Sequence, residues 1–269
     1  MTTTYALPAA PGGSRRRPGR ATARLVGCEA RLFVRDPAAM FFSLAFPAVL
    51  LTVLGLVMPW ADQPYSATDP QLAGITAITG YTPIVLSLAV ATVSLSLVPA
   101  VVAGYRQRGV LRRLSTTPIG PSRLLVALIV VYVVALLAAA ALALASGSLL
   151  LGVTLPRRPA VVLLAFVLAV LSAFAVGSLV AAWAPTVGAA NGVGQTLYML
   201  SMFFAGVWLP LPLMPHAVQA IAAWTPLGAA SQAMTTAWVG GAFPTMELLV
   251  MTGWAVVGIP VAARLFRWT

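Results

Sequence analysis

The stretch YRQRGVLRRLSTTPIGPSR, Tyr105–Arg123, decides the fold. It holds five arginines, Arg106, Arg108, Arg112, Arg113 and Arg123, and no acid, in a chain of 269 residues that is 60% hydrophobic and only 8% charged. Apolar runs long enough to cross a bilayer flank it, so it reads as a wet, basic segment between two membrane spans. Spacing predicts a helix from Tyr105 to Leu114, with Val110, Leu111 and Leu114 sharing one face and Arg106, Arg108, Arg112 and Arg113 spread over the others. Thr117-Pro118 stops that helix, because proline lacks a donor and disfavours helix in the residue before it. Gly120 is then a link, and Pro121 starts the next helix.

Working outward, the composition is that of an integral membrane protein, since soluble domains carry about a quarter charged residues. All 16 basic residues are arginine. The absence of lysine excludes a lysine-bearing phosphate loop, so nucleotide hydrolysis, where it is needed, belongs to another chain. A net charge of +11 invites a nucleic-acid reading. The arginines, however, sit beside apolar spans, where they fix topology and meet anionic head groups, and no nucleic acid is expected. Cys28, the single cysteine, cannot form an internal disulfide, and no Cys/His cluster offers metal ligands.

Residues 1–22 are rich in Pro, Gly, Thr and Arg and read as a disordered basic tail, followed by one transmembrane domain over residues 23–269. Ser14–Arg20 resembles a twin-arginine signal, but the next apolar run begins only near Met40, with Asp36 between, so a cleaved signal is not expected. A connecting segment over residues 23–37 follows. From Ala23 to Arg35, Leu25, Leu32 and Phe33 recur at helical spacing with Arg24, Glu29, Arg31 and Arg35 elsewhere, the pattern of a helix lying in the membrane interface. Arg35 precedes Asp36 and Pro37, a pair suited to cap or begin a span from Ala38 to Met58 that Pro47 should kink.

Further spans are expected at Leu72–Ala103, Leu124–Leu151, Ala160–Trp183, Asn191–Leu209 and Met246–Ala263, giving an all-α fold of six transmembrane helices. The second exceeds the length a bilayer needs and carries Gly80, Pro83 and Pro99, so tilt or kinks must absorb the excess. Residues 210–244 are apolar but broken by Pro210, Pro212, Pro215, Pro226 and Gly240-Gly241. Val218–Trp224 and Gly228–Val239 read as half-helices dipping into the outer leaflet. With both termini inside, fourteen arginines face the cytoplasm and two, Arg157 and Arg158, lie outside, as the positive-inside rule requires.

Chemistry is nearly absent. Five acids and one histidine, so dispersed, assemble no catalytic constellation, and the chain is not expected to be an enzyme or to bind a cofactor. Glu247 reads as a helix-start carboxylate and His216 as a wet loop residue. Met199, Met202, Phe203, Phe204 and Trp208 in the fifth span suit ordinary packing, and equally an amphiphilic or aromatic cargo.

Three places then resemble a family: Glu29–Pro37 before the first span; Arg108-Gly109-Val110-Leu111-Arg112-Arg113-Leu114 with Thr117-Pro118 after the second; and Leu209-Pro210, Met214-Pro215 and Trp224-Thr225-Pro226-Leu227 before the last. In order and spacing they resemble the membrane subunit of type-2 ATP-binding cassette exporters, close to the daunorubicin-resistance group of drug efflux permeases. The resemblance implies an amphipathic connecting helix, a cytoplasmic coupling helix and outer-leaflet re-entrant helices. It also implies a separate ATPase subunit, carrying ATP and Mg, docked against Arg106, Arg108, Gly109, Leu111, Arg112, Arg113, Leu114 and Pro118. Two copies of each subunit, in a bacterial plasma membrane, would move a drug, antibiotic or lipid-like cargo outward. Where relatives place an acid shortly before the glycine, this chain has Arg106, Gln107 and Arg108. An ATPase-independent carrier or channel, or a membrane scaffold, remains open on the residues alone.

Overall fold

Why the chain kinks where it does follows from its prolines. A computed structural model describes residues 18–65, 74–116, 121–209, 211 and 214–266, and every regular element among them is a helix. Helix α1 (Pro18–Val34) precedes α2 (Pro37–Val57), α3 (Ala77–Gln107), the short α4 (Val110–Ser115), α5 (Pro121–Leu151), α6 (Pro159–Trp183) and α7 (Val187–Phe204). Two short helices, α8 (His216–Trp224) and α9 (Pro226–Val239), lead to α10 (Thr245–Leu265). Asp36 caps α2 through a 2.9 Å bond from the Ala39 amide, and Pro37 occupies the first turn, where its missing N–H costs nothing.

Both interrupted spans use one device. Pro47 and Pro99 cannot donate to Ser43 and Leu95 four residues back, and in each case the helix widens into a π turn just upstream, at Phe41–Ala45 and Thr92–Leu97. Pro83 is carried inside α3 without ending it. The second π turn is also where three helices meet most closely. A Cβ on Gly177 of α6 would collide with the Ser94 carbonyl oxygen, and one on Gly194 of α7 with that of Leu95. Glycine at both places lets two backbones reach the widened turn.

Around this crossing α6 and α10 pack along each other, α2 lies on α5, and α9 wedges between α6, α3 and α10. Trp238 of α9 is fully buried, its indole N–H bonded to the Thr154 carbonyl at 2.9 Å. Buried hydroxyls along α3, on Thr82, Ser87, Thr92 and Ser94, return to the carbonyl one turn back, so this core needs no water.

Several expectations change. The helix Tyr105–Leu114 is two helices: α3 runs on to Gln107, and Gly109, at φ +68°, turns the chain into α4. Only glycine takes that left-handed conformation cheaply. Helix α1 begins at Pro18, five residues ahead of Ala23, while the rest of the expected tail lies outside the described residues. Among the described residues five helices are long and apolar enough to cross a membrane: α2, α3, α5, α6 and α10. The expected fifth of six spans, α7, stops at Phe204 and is diluted by Asn191, Gln195 and Thr196. Pro118, Pro210 and Pro212 fall outside the described residues.

Candidate functional site

Two regions carry the residues singled out by sequence. The first is the end of the bundle around α4, built on the last turn of α3. Leu111 is 1% exposed, and with Tyr105 and Leu124 it forms a small apolar cluster joined by Leu25, Val110, Leu114 and Phe266. The apolar face predicted for Val110, Leu111 and Leu114 is therefore what seats α4 on the bundle. Arg112 and Arg113 are left exposed on its other side.

Of its neighbouring arginines, Arg106 turns inward. Arg106 donates to the carbonyls of Ala181 and Ala184, the last acceptors of α6, and its guanidinium lies 5.4 Å from the centre of the Phe266 ring. A cation at a helix C-terminus satisfies orphan carbonyls and opposes the helix dipole, so Arg106 fastens α3, α6 and the end of α10 together. Arg108 bonds back to Gly104 at 3.1 Å and covers the Tyr105 ring at 5.6 Å. The segment of arginines thus divides: Arg106 joins α3 to α6 and the end of α10, Arg108 folds back on its own helix, and Arg112 and Arg113 face outward.

On α1 Arg31 is exposed and Phe33 packs edge-on against Tyr132 of α5 at 5.5 Å, and just past its end Arg35 and Asp36 are exposed too. Periodicity places Glu29 with the arginines on the polar side, yet it is 5% exposed and accepts a 2.7 Å bond from the Tyr105 hydroxyl. A carboxylate among basic residues gives no signal of burial; only the position of Tyr105, far off in sequence, reveals it.

The second region is the outer face of α7. Gly192, Gln195, Thr196, Met199, Leu200 and Phe203 line an open concavity of about 640 Å³. Met199 and Phe203 share this face, Phe204 instead lines a smaller cavity of about 210 Å³ behind α7 with Leu95, Ala173 and Trp254, and Met202 is half-buried. Trp208 lies beyond the helix, in the exposed turn after Gly206. The residues grouped as one cargo surface therefore point to different places.

Contacts tie α7 and the turn after it to the bundle at two levels. The first turn of α7 packs with Ala103 and Ala184 beside Arg106, and just past its end the Val207 carbonyl accepts from Tyr81 at 2.8 Å and that of Ala205 from Ser231 at 2.7 Å. Tyr81 and Arg106 lie near opposite ends of α3. At the Tyr81 end, Arg157 bonds the Val239 carbonyl and its backbone amide that of Trp238, closing the C-terminus of α9.

Among the described residues no group of His, Cys, Asp and Glu is placed to hold a metal. A search of curated proteins finds no match. The family model described as ABC-2 type transporter matches residues 22–238, which include most of α1 and all of α2 to α8. The match spans most of a chain whose described residues form apolar helices fit to cross a membrane, and the chain belongs to the ABC-2 type transporter family.

Proposed function

We infer that the chain is the permease subunit of an ATP-driven exporter of the daunorubicin-resistance type. In this reading a separate ATPase subunit binds ATP and Mg, and a second copy of the chain completes the path for an amphiphilic or hydrophobic cargo such as a drug, antibiotic or lipid. The observation that carries it is the uncovered face of α7. Asn191, Gln195 and Thr196 are exposed along a helix tied to the bundle at two levels. Amide side chains facing hydrocarbon without partners cost several kcal/mol on the order of magnitude of unpaired polar groups in lipid. Such a face requires a second subunit or a wet path over it.

Counting α7 as the fifth of six spans is supported by its contacts at both ends and by its length: 18 residues at about 1.5 Å each reach most of the way across the hydrocarbon. Six spans return the C-terminus to the side of α4 and put Arg157 and Arg158 alone outside, with α8 and α9 as re-entrant helices on that side. The arginine distribution supports a cytoplasmic position for α4 and both termini, in keeping with the reading of a bacterial plasma-membrane exporter.

The mechanism follows from the seating of α4. An ATPase pressing on Arg112 and Arg113 bears on a helix whose apolar face is locked to α3 and α5 through Leu111, Tyr105 and Leu124. Displacement passes to α6 and α10 through Arg106. For such rocking to be driven, the partner must bind the two states with different free energy. No acid sits inside the described spans except Glu247 in the first turn of α10, which speaks against a proton-coupled carrier.

The test is a mild-detergent pull-down from host membranes. The native chain should retain an ATPase subunit, and Arg112→Glu with Arg113→Glu should release it while the purified variant stays monodisperse. An ATPase retained equally by both sinks the assignment of α4, and no ATPase with either sinks the exporter reading.

A further inference from the structure

We propose that Glu29 is the positioning residue of the lever: its carboxyl group, held by the Tyr105 hydroxyl, ties α1 to the last turn of α3 and thereby fixes the direction in which α4 projects. The inference rests on α4 being the lever, as argued above. Tyr105 is the common element. Its hydroxyl meets Glu29 of α1 at 2.7 Å, and its ring packs with Leu111 of α4 and Leu124 of α5. Gly109, at φ +68°, follows four residues later as the turn between α3 and α4, so whatever orients Tyr105 orients the base of the lever.

The placement of Glu29 is not that of a surface carboxylate. It is 5% exposed on a helix whose Arg24 and Arg31 are both exposed. The groups near this joint are Tyr105 and Arg108 from α3, Tyr132 from α5, and Asp36 at the start of α2. Burial pushes the Glu29 carboxyl above its ordinary value of 4.5, and the Tyr105 bond draws it part of the way back. A group raised in the docked state favours docking fully below its undocked value and loses that contribution as pH rises through the docked one. A side chain that merely filled space would give no such profile.

The chain supplies its own reporter. Cys28 is exposed, adjacent to Glu29, and the sequence has no other cysteine. A nitroxide on Cys28 of the purified full chain in lipid nanodiscs should be immobilised at acid pH and loosen progressively as pH rises above the ordinary carboxyl range. Glu29→Gln should stay immobilised throughout, because the amide oxygen still accepts from Tyr105 and carries no charge. Tyr105→Phe should raise the rate of tryptic cleavage after Arg112 and Arg113 at neutral pH by about threefold or more. A Glu29→Gln profile that coincides with the native one, or a Tyr105→Phe cleavage rate equal to native, overturns the proposal. Neither readout needs an ATPase or cargo: loss of the joint with a retained ATPase condemns the joint alone, and an intact joint without a retained ATPase condemns the lever.

Discussion

Arg106 and Asn191 lie toward the same end of the bundle and meet opposite fates. Arg106, with a charge that is costly to desolvate, is folded under the end of α6 and given two carbonyls and an aromatic ring. Asn191, a neutral amide, is left on the exterior of α7 with Gln195 and Thr196 on the same side. At the α4 end, polar groups are spent on joints inside the chain. Along α7 they are left exposed. The difference separates what holds the subunit together from what it offers to others, and each substitution below should fall on one side of that line.

The largest effect belongs to the crossing of α3, α6 and α7. Gly177→Ala drives a methyl group into the Ser94 carbonyl, where backbone rather than a flexible side chain must move. Thermal unfolding of the purified chain in detergent should show a loss of about 3 kcal/mol or more, with Gly194→Ala close behind. Leu111→Ala comes next, at about 2–4 kcal/mol for an emptied site, expressed locally as faster proteolysis of α4. Arg106→Ala should cost about 1–3 kcal/mol by orphaning the last carbonyls of α6, and Arg106→Lys, with a single point charge in place of a planar fork, should recover only part of it. On the other side of the line, Gly192→Ala meets nothing within 4 Å in the subunit and should leave its unfolding unchanged to within about 0.5 kcal/mol. If Gly192→Ala destabilises the isolated subunit as Gly177→Ala does, the division fails.

Much of this fold is legible in the sequence because hydrocarbon imposes simple rules. Long apolar runs mark α2, α3, α5, α6 and α10, Asp36-Pro37 announces the start of α2, and the spacing of Val110, Leu111 and Leu114 gives the seated face of α4. What resists reading is contact between distant residues. Nothing local distinguishes Gly177, notched against Ser94, from Gly192, which touches nothing. Nor does the run of arginines say that Arg106 and Arg108 turn back onto carbonyls while Arg113 stays out. The break at Gly109 is hidden for a different reason: glycine permits a left-handed turn without compelling one, and the apolar spacing continues across it.

The two candidate sites differ in the same way. The α4 end is recognisable because charge in an oily chain is conspicuous, although its division of labour is not. On α7, attention goes to the aromatic and methionine side chains, whereas the telling residues are the small amides Asn191 and Gln195, whose meaning depends on being uncovered.

The central claim is that this face of α7 does not look onto lipid. Nitroxides at Asn191, Gln195 and Met199, each substituted by cysteine in a Cys28→Ser background and reconstituted in nanodiscs, can be compared with Val256 and Val257, which are exposed on α10. Collision with dissolved oxygen, which concentrates in the bilayer interior, measures contact with lipid. The account predicts low oxygen accessibility at all three α7 positions and high accessibility at the two α10 positions. Equal oxygen accessibility on both helices would contradict it, because the amides of α7 would then lie in hydrocarbon with neither a second subunit nor a wet path beside them.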